Sequence, residues 1–425
     1  CAPHTTLRVD VEQFAARSCR AATSPVDDAM RVHRPADKLA RLETTVTENR
    51  MPALLPDVDP DGLLEYSVVY TDRALNHMSR RFQGVMRDVS ATLKQVYAAQ
   101  AAVVVPGSGS TGMEAVARQF GTGKKVLVIR NGWFSYRWSQ IFEMGGIPAA
   151  TTVLKARMVS PAHQAPFAPP PLDEVVATIR SAKPDLVFAP HVETSAGMLL
   201  PDDYLTAVAA AVHEHGGLFV LDCIASGAIW VDMAATGVDV LVSAPQKGWS
   251  GPPCCGLVML GARALARIEA TTSTSFSLDL KKWLQIMQTY ESGGHAYHAT
   301  LPTDGLARLR DVMQELAAFG FDQSKAAQQQ LGDRVRALLA HEGIASVAAS
   351  GFQSPGVVVS YTDDVEWHSG RAFAALGLQI AAGVPLAVDE PADFRSFRIG
   401  LFGLDKLMHV DRTVESLDHA LSALL

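Results

Sequence analysis

The sequence predicts an α/β protein in which a mainly parallel sheet is sandwiched by helices and is followed by a smaller C-terminal α+β domain. From about residue 84, segments with helical hydrophobic spacing alternate with short, continuously apolar segments. Continuously apolar strands are typical of parallel sheets that are buried on both faces. After about residue 305 a long helical segment leads to strands near 356–363 and 397–403, which indicates a second, smaller sheet.

The predicted elements follow one another in the order that a parallel sheet covered by helices requires. Several apolar segments end at Pro, Gly or Asp, where a strand gives way to a turn. Helices are predicted over 84–100, 111–120, 135–146, 173–182 and 203–217, and strands over 101–105, 124–132, 184–193, 218–226 and 238–246.

The composition is that of an ordinary globular protein. The 425 residues are 48% hydrophobic and 19% charged, with a formal net charge of −7. Acidic and basic residues are mixed without a basic run, so we expect no nucleic-acid partner. No apolar stretch approaches the roughly 20 residues that span a membrane, so we expect no membrane partner. Five irregularly spaced cysteines argue against a disulfide framework and favour a cytoplasmic location: Cys1, Cys19, Cys223, Cys254 and Cys255.

The sequence divides into three regions. Residues 1–50 show little hydrophobic periodicity, and the pattern changes at Met51. One hypothesis places 1–50 outside the catalytic fold, with Met51 as the natural start, and the alternative is an N-terminal arm that packs on a partner subunit. We expect a large domain over 51–305 and a small C-terminal domain over 306–425.

A turn rich in small residues and hydroxyls follows the strand at 101–105. Gly107 to Gly112 reads GSGSTG and leads directly into a helix. Small residues let backbone N–H groups approach an anion, and the helix N-terminus adds positive partial charge. We interpret the turn as a phosphate cup. The alternative is a tight strand-to-helix turn, which also favours Gly and Ser.

Two charged residues follow predicted buried strands. Asp222 ends one strand, and Lys247 stands 25 residues later, just beyond the next. A lone Asp or Lys usually lies on a solvated surface, but a charge at the end of a buried strand needs a reason. A pyridoxal-phosphate (PLP) site needs both groups. The amine forms a Schiff base, and the carboxylate pairs with the protonated pyridine nitrogen.

The segments around these two residues resemble a known family. SAPQKGWSGPP (243–253) and LDCIAS (221–226) are similar to the lysine and aspartate segments of class V aminotransferases of PLP fold type I. The chain most resembles the alanine–glyoxylate and serine–glyoxylate group, over roughly residues 84–425. The resemblance implies the PLP-dependent transferase fold type I, with catalytic Lys247 and Asp222 and with pyridoxal 5′-phosphate as the cofactor.

The resemblance implies further cofactor-binding residues. Phe134 falls where the family stacks an aromatic ring on the cofactor, with Trp133 as its competitor. Thr194 falls where a hydroxyl lies near the cofactor's 3-hydroxyl group. The alternatives are a core ring and a simple strand-end turn. The implied phosphate ligands are Ser108, Gly109, Ser110 and Gln246.

The resemblance also implies two residues that contact the cofactor of the partner subunit and one residue that binds the substrate. Tyr297 and Thr300 resemble residues that cross a dimer interface to the partner's phosphate, which implies a homodimer with shared active sites. A polar loop is the alternative. Arg398 falls where the family binds the substrate α-carboxylate, since a guanidinium holds both oxygens. The alternative is an intramolecular salt bridge.

One segment departs from the family. A Gly/Pro-rich segment usually lines the substrate pocket, and GLLEYSVVYTDRALNHMSRRF (62–82) stands in its place. Glu65, Tyr66 and Ser67 could therefore enter the active site and change the substrate. The alternative is a simple replacement of the pocket wall.

The leading functional hypothesis is transfer of an amino group from a small amino acid, of the alanine or serine type, to a 2-oxo acid such as glyoxylate or pyruvate. The alternative is a PLP-dependent lyase or hydrolase, desulfurase-like or kynureninase-like. Gln246 stands where desulfurases carry His, and no Cys follows late in the chain, which argues against a desulfurase. A binding module without catalysis is a third hypothesis. We expect no metal, because His191 and Glu193 lack a third ligand at metal spacing.

Overall fold

The computed structural model describes residues 63–425. The predictions for residues 1–50 and for a start at Met51 lie outside the described residues. In the described part, no helix is both long enough and apolar enough to cross a membrane.

The described residues form fourteen helices and fourteen strands in chain order. The helices are α1 Arg80–Tyr97, α2 Gly109–Phe120, α3 Trp133–Gly145, α4 Leu172–Ala182, α5 Asp202–His213, α6 Met233–Thr236, α7 Ala262–Ile268, α8 Leu280–Glu291, α9 Thr303–Phe319, α10 Phe321–His341, α11 Val365–Ser369, α12 Arg371–Ala375, α13 Leu404–Met408 and α14 Val410–Leu424. The strands are β1 Ala101–Pro106, β2 Lys125–Arg130, β3 Ala150–Lys155, β4 Arg157–Met158, β5 Phe167–Ala168, β6 Leu186–Pro190, β7 Val192–Glu193, β8 Met198–Leu199, β9 Leu218–Asp222, β10 Val240–Ser243, β11 Cys255–Leu260, β12 Val357–Tyr361, β13 Ala381–Ala382 and β14 Ser396–Gly400.

The central sheet has seven strands in the order β1, β11, β10, β9, β6, β2 and β3. The β10–β9, β9–β6, β6–β2 and β2–β3 pairs are parallel, whereas β11 is antiparallel to both of its neighbours. The sequence prediction of a mainly parallel sheet is confirmed. Its inner strands are buried along their whole length, in line with their continuously apolar sequences.

Helix α1 shows how the sequence sets these elements. Ser79 caps it, since its Oγ accepts a hydrogen bond of 3.1 Å from the Phe82 backbone N–H. Phe82, Val85, Met86 and Val89 recur at helical spacing and are fully buried. The helix therefore presents one apolar face to the core and a polar face to water.

The C-terminal region has its own antiparallel sheet in the order β12, β14 and β13. Leu331 and Val335 of α10 pack there with Phe397 of β14 in a second core. Leu306 and Leu309 of α9, by contrast, pack in the core of the central sheet. The domain division near residue 305 stays a prediction.

The carboxyl ends of five parallel strands meet at one edge of the central sheet. These are β1, β2, β6, β9 and β10, and the turns after them lie side by side. Ligands of such sheets bind beyond this edge. The fold thus brings together residues from five distant parts of the chain.

Candidate active site

A cavity of about 190 Å³ lies at this edge of the central sheet. It brings together eight of the eleven predicted site residues and adds Arg137 and Ile224 to them. The eight predicted residues are Ser108, Gly109, Ser110, Phe134, Thr194, Asp222, Gln246 and Lys247.

The phosphate cup is the N-terminus of α2. Thr111 Oγ1 accepts a hydrogen bond from the Ser108 N–H at 2.7 Å and donates one to the Ser108 carbonyl at 2.5 Å, which fixes the turn. The first N–H groups of a helix have no acceptor within it and can serve an anion. A Cβ on Gly109 would lie 2.6 Å from Ile224 Cδ1, so a larger residue there would have to displace the Ile224 side chain.

Asp222 places a buried carboxyl at the end of β9. The Ile224 backbone N–H donates to its Oδ1 at 2.9 Å. Burial raises the pKa of Asp222 to about 7, and the nearby Glu193 adds to this rise while the Ile224 hydrogen bond and Arg137 oppose it. A cationic partner inside the cavity would hold this carboxyl in its charged form.

Lys247 lies in the turn after β10 and is largely buried. Burial, followed by the charges of Arg398 and Arg137, lowers its pKa. Its Nζ lies 5.2 Å from the centre of the Phe402 ring. A larger fraction of this amine is therefore uncharged at neutral pH than for an exposed lysine, and the uncharged amine is the nucleophilic form.

Two guanidinium groups lie near the Phe134 ring. Arg137 lies 5.3 Å and Arg398 5.5 Å from the centre of its ring. Phe134 lines the cavity, whereas the Trp133 ring lies 5.6 Å from the ring of Tyr136. Arg398 approaches from β14, where its Nε donates to the Ala382 carbonyl at 2.8 Å. Arg398 is thus beside the cavity without being part of its lining.

Comparison with known proteins decides the family. The model of the family described as Aminotransferase class-V matches residues 61–384. The chain belongs to the class-V aminotransferase family. It is a PLP-dependent aminotransferase with the type I fold, as the sequence predicted.

Similar proteins agree with this assignment. 2-Aminoethylphosphonate–pyruvate transaminase 2 of Paraburkholderia xenovorans (strain LB400) is 28% identical over 368 residues, which cover 83% of this chain and 90% of that protein. Alanine–glyoxylate aminotransferase of Oryctolagus cuniculus is 26% identical over 358 residues, 82% of this chain and 86% of that protein. The crystal structure of pyridoxamine–pyruvate aminotransferase from Mesorhizobium loti shares the fold, with a TM-score of 0.68 at 18% identity over 84% of this chain and 87% of that chain.

The cavity of this class-V aminotransferase fits PLP. A buried carboxyl, an amine of lowered pKa, an aromatic face and a hydroxyl-rich helix N-terminus all face the same space. Each could hold one part of the cofactor: the pyridine nitrogen, the aldehyde carbon, the ring face and the phosphate, in that order.

The sequence interpretation missed Arg137. Its Nη1 donates to Ser110 Oγ at 3.1 Å, so it joins the phosphate cup to α3. Arg137 stands three residues after Phe134 on the same helix, and residues at this spacing share a face. That spacing is the signal that could have found it.

Glu193 was also left without a role, although it organises the site. Its carboxylate is fully buried at the N-terminus of α3. Oε1 accepts hydrogen bonds from the Phe134 N–H at 3.1 Å and the Ser195 hydroxyl at 2.7 Å, and Oε2 from the Ser135 N–H at 2.8 Å and its hydroxyl at 2.7 Å. Glu193 therefore fixes Phe134 and holds the backbone on either side of Thr194.

Tyr297 and Thr300 do not line this cavity. Their side-chain oxygens lie 3.2 Å apart, and Tyr297 is 53% exposed in the single chain. The Tyr297 ring lies 5.7 Å from the ring of His77. Nearby, Glu65 Oε1 accepts from the Ser67 N–H at 2.6 Å. The segment that departs from the family pattern thus folds close to Tyr297, outside the cavity of its own chain.

Replacing Glu193 tests its positioning role. Glu193→Gln keeps the shape of the side chain but points an amide NH2 group at backbone N–H and hydroxyl donors. We therefore expect the free energy of unfolding to fall by about 2–3 kcal/mol. Chemical denaturation measures it. Glu174→Gln is the matched control, because its pair with Arg157 is exposed and should contribute less than about 1 kcal/mol. Equal losses in the two variants would contradict the role of Glu193.

Asp222→Asn should stabilise the cofactor-free protein at neutral pH. The unfolded chain releases this proton near pH 3.8, whereas the folded chain keeps it up to about pH 7. The wild type therefore loses stability as the pH rises through this interval, and the amide does not. We expect a higher Tm for the variant above about pH 7, and the opposite order with saturating PLP. If the difference in Tm between the wild type and the variant did not change with pH, this would contradict the burial of the Asp222 carboxyl.

Proposed function

We propose that this aminotransferase moves an amino group from a small amino acid, of the alanine or serine type, to a 2-oxo acid such as glyoxylate or pyruvate. The observation that carries the proposal is the convergence of Lys247, Asp222 and the phosphate cup on one cavity. Its relatives support the proposed identity of the acceptor, because their names pair an amino donor with pyruvate or glyoxylate.

In this proposal the described residues hold PLP at both ends. Ser108, Gly109, Ser110 and Gln246 bind the phosphate, and Arg137 adds a positive charge beside Ser110. Asp222 binds the pyridine nitrogen, while Phe134 covers one face of the ring and Thr194 lies near the 3-hydroxyl group. Bound PLP supplies an electron sink that makes removal of the substrate's α-proton possible.

Lys247 has two tasks. Its Nζ would hold the cofactor covalently. When free, the same amine would take the α-proton from the substrate and return a proton during the second half of the reaction. Its lowered pKa suits a base near neutral pH. Val192 is buried and Ile224 is partly buried in the cavity wall, where both side chains limit the access of water.

Arg398 binds the substrate carboxylate. Its guanidinium is half-buried beside Phe134, and burial lowers its pKa while Glu193 raises it. A planar fork of donors suits a carboxylate. This arrangement would place the α-carbon of the substrate over the cofactor and near Lys247.

We further propose a homodimer in which Tyr297 and Thr300 complete the partner's phosphate site. Both side chains lie outside the cavity of their own chain. Leu63, Tyr66 and Val68 expose apolar side chains in the same single chain, and exposed apolar patches of this kind commonly mark an interface.

Absorption of the purified protein tests the reaction. We expect L-alanine or L-serine to bleach the visible band of the Lys247-bound cofactor, and glyoxylate or pyruvate to restore it. Arg398→Gln should lower kcat/KM by about 10–100-fold, because a charged hydrogen-bonded pair is lost. Arg395→Gln is the control, because Arg395 stands just before the strand that carries Arg398 and is exposed to solvent. Release of ammonia from serine without any acceptor would instead show a lyase.

Mixing two inactive variants tests the shared site. Lys247→Ala removes the amine, and Tyr297→Ala with Thr300→Ala removes the partner's contribution. After unfolding and refolding together, half of the dimers should be hybrids with one complete site, which returns about a quarter of wild-type activity. Activity equal to the sum of the two separate variants would contradict sharing.

A further inference from the structure

Two neighbouring cysteines lie behind the phosphate cup and have no part in the proposed reaction. Their sulfur atoms are 3.8 Å apart. Cys255 is buried at the start of β11, while Cys254 stands just before this strand and is half-buried. The two sulfur atoms are thus in van der Waals contact, and the pair is partly exposed on the side of Cys254.

The backbone of this pair supports the cup directly. The Cys254 carbonyl accepts a hydrogen bond of 3.0 Å from the Gly107 N–H, and Cys255 lies opposite Pro106 in the β1–β11 ladder. A Cβ on Gly256 would lie 2.8 Å from Gly112 Cα. Any movement of the backbone at 254–256 is therefore transmitted to the first turn of α2.

We propose that Cys254 and Cys255 are a reversible oxidation site, where a vicinal disulfide formed by a peroxide weakens PLP binding by displacing the cup. The Cys254 thiolate attacks one peroxide oxygen, so that an S–O bond forms, the O–O bond breaks and a proton completes the first water. The Cys255 sulfur then attacks Cys254, the S–O bond breaks, and the thiol proton leaves with the second water. Two thiols are oxidised and one peroxide is reduced.

The local chemistry assigns these roles. The hydrogen bond with the Cys255 thiol lowers the pKa of Cys254. The shared hydrogen bond and burial raise the pKa of Cys255 well above its usual value. The accessible sulfur is therefore the more readily ionised one, as attack on a peroxide requires.

Geometry explains both the effect and its reversal. Neighbouring Cα atoms are about 3.8 Å apart across a trans peptide, whereas disulfides usually join Cα atoms about 4.4–6.8 Å apart. A bond between adjacent cysteines therefore closes a strained ring that includes their shared peptide. The change in backbone torsions that this ring requires would move the Cys254 carbonyl away from Gly107. Strained disulfides are easily reduced, so a thiol should restore the cup.

The test uses the full chain with Cys1→Ser and Cys19→Ser, which leaves Cys223 and the pair. After treatment with hydrogen peroxide we expect the peptide containing 254–255 to lose two hydrogen atoms by mass spectrometry. The Kd for PLP, measured by titration of the cofactor-free protein, should rise roughly tenfold. Dithiothreitol should reverse both changes.

Cys254→Ser is the control that keeps the fold, because this side chain is half-buried. It should bind PLP normally and keep its Kd after peroxide. The proposal rests on the phosphate cup, and the two can be distinguished. Weak PLP binding before oxidation would count against the proposal that the cup binds the phosphate of PLP. A mapped disulfide with an unchanged Kd, a pair that stays reduced, or equal sensitivity of Cys254→Ser overturns the oxidation site.

Discussion

The burial of Asp222 at the end of β9 is the constraint on which the rest of the site depends. A carboxyl there, close to the buried Glu193, is held partly protonated near neutral pH unless a cation joins it. Arg137 lines the same cavity and Arg398 lies beside it, so two guanidinium groups flank the space next to these acids. Their positive charge suits a phosphate and a substrate carboxylate, and a cationic ring nitrogen suits Asp222.

The scaffold around these charges is rigid for identifiable reasons. The parallel strands deliver five turns to one edge of the sheet. Glu193 accepts hydrogen bonds from the Phe134 and Ser135 backbone N–H groups, and Gly109 packs closely against Ile224 in the cup. A preorganised site of this kind binds its cofactor and substrate with little loss of conformational freedom.

The sequence predicted the features that local patterns encode. Strand-ending charges and a glycine- and serine-rich turn indicated Asp222, Lys247 and the cup, because strand periodicity and turn chemistry are local. Glu193 was missed because its partners stand 58 and 59 residues earlier in the chain. Arg137 shares a helix face with Phe134, but its contact with Ser110 joins two distant parts of the chain and leaves no local pattern. Tyr297 and Thr300 lie outside the cavity of their own chain, so the role that the resemblance implies for them stays a prediction.

The central claim is that Lys247 carries the cofactor covalently, and borohydride reduction followed by peptide mass spectrometry tests it most directly. Reduction fixes PLP to whichever amine holds it. We predict that the peptide containing Lys247 alone gains the reduced cofactor, and that Lys247→Ala gains none. Labelling of another lysine, or no labelling of protein that has been incubated with PLP, would contradict the account.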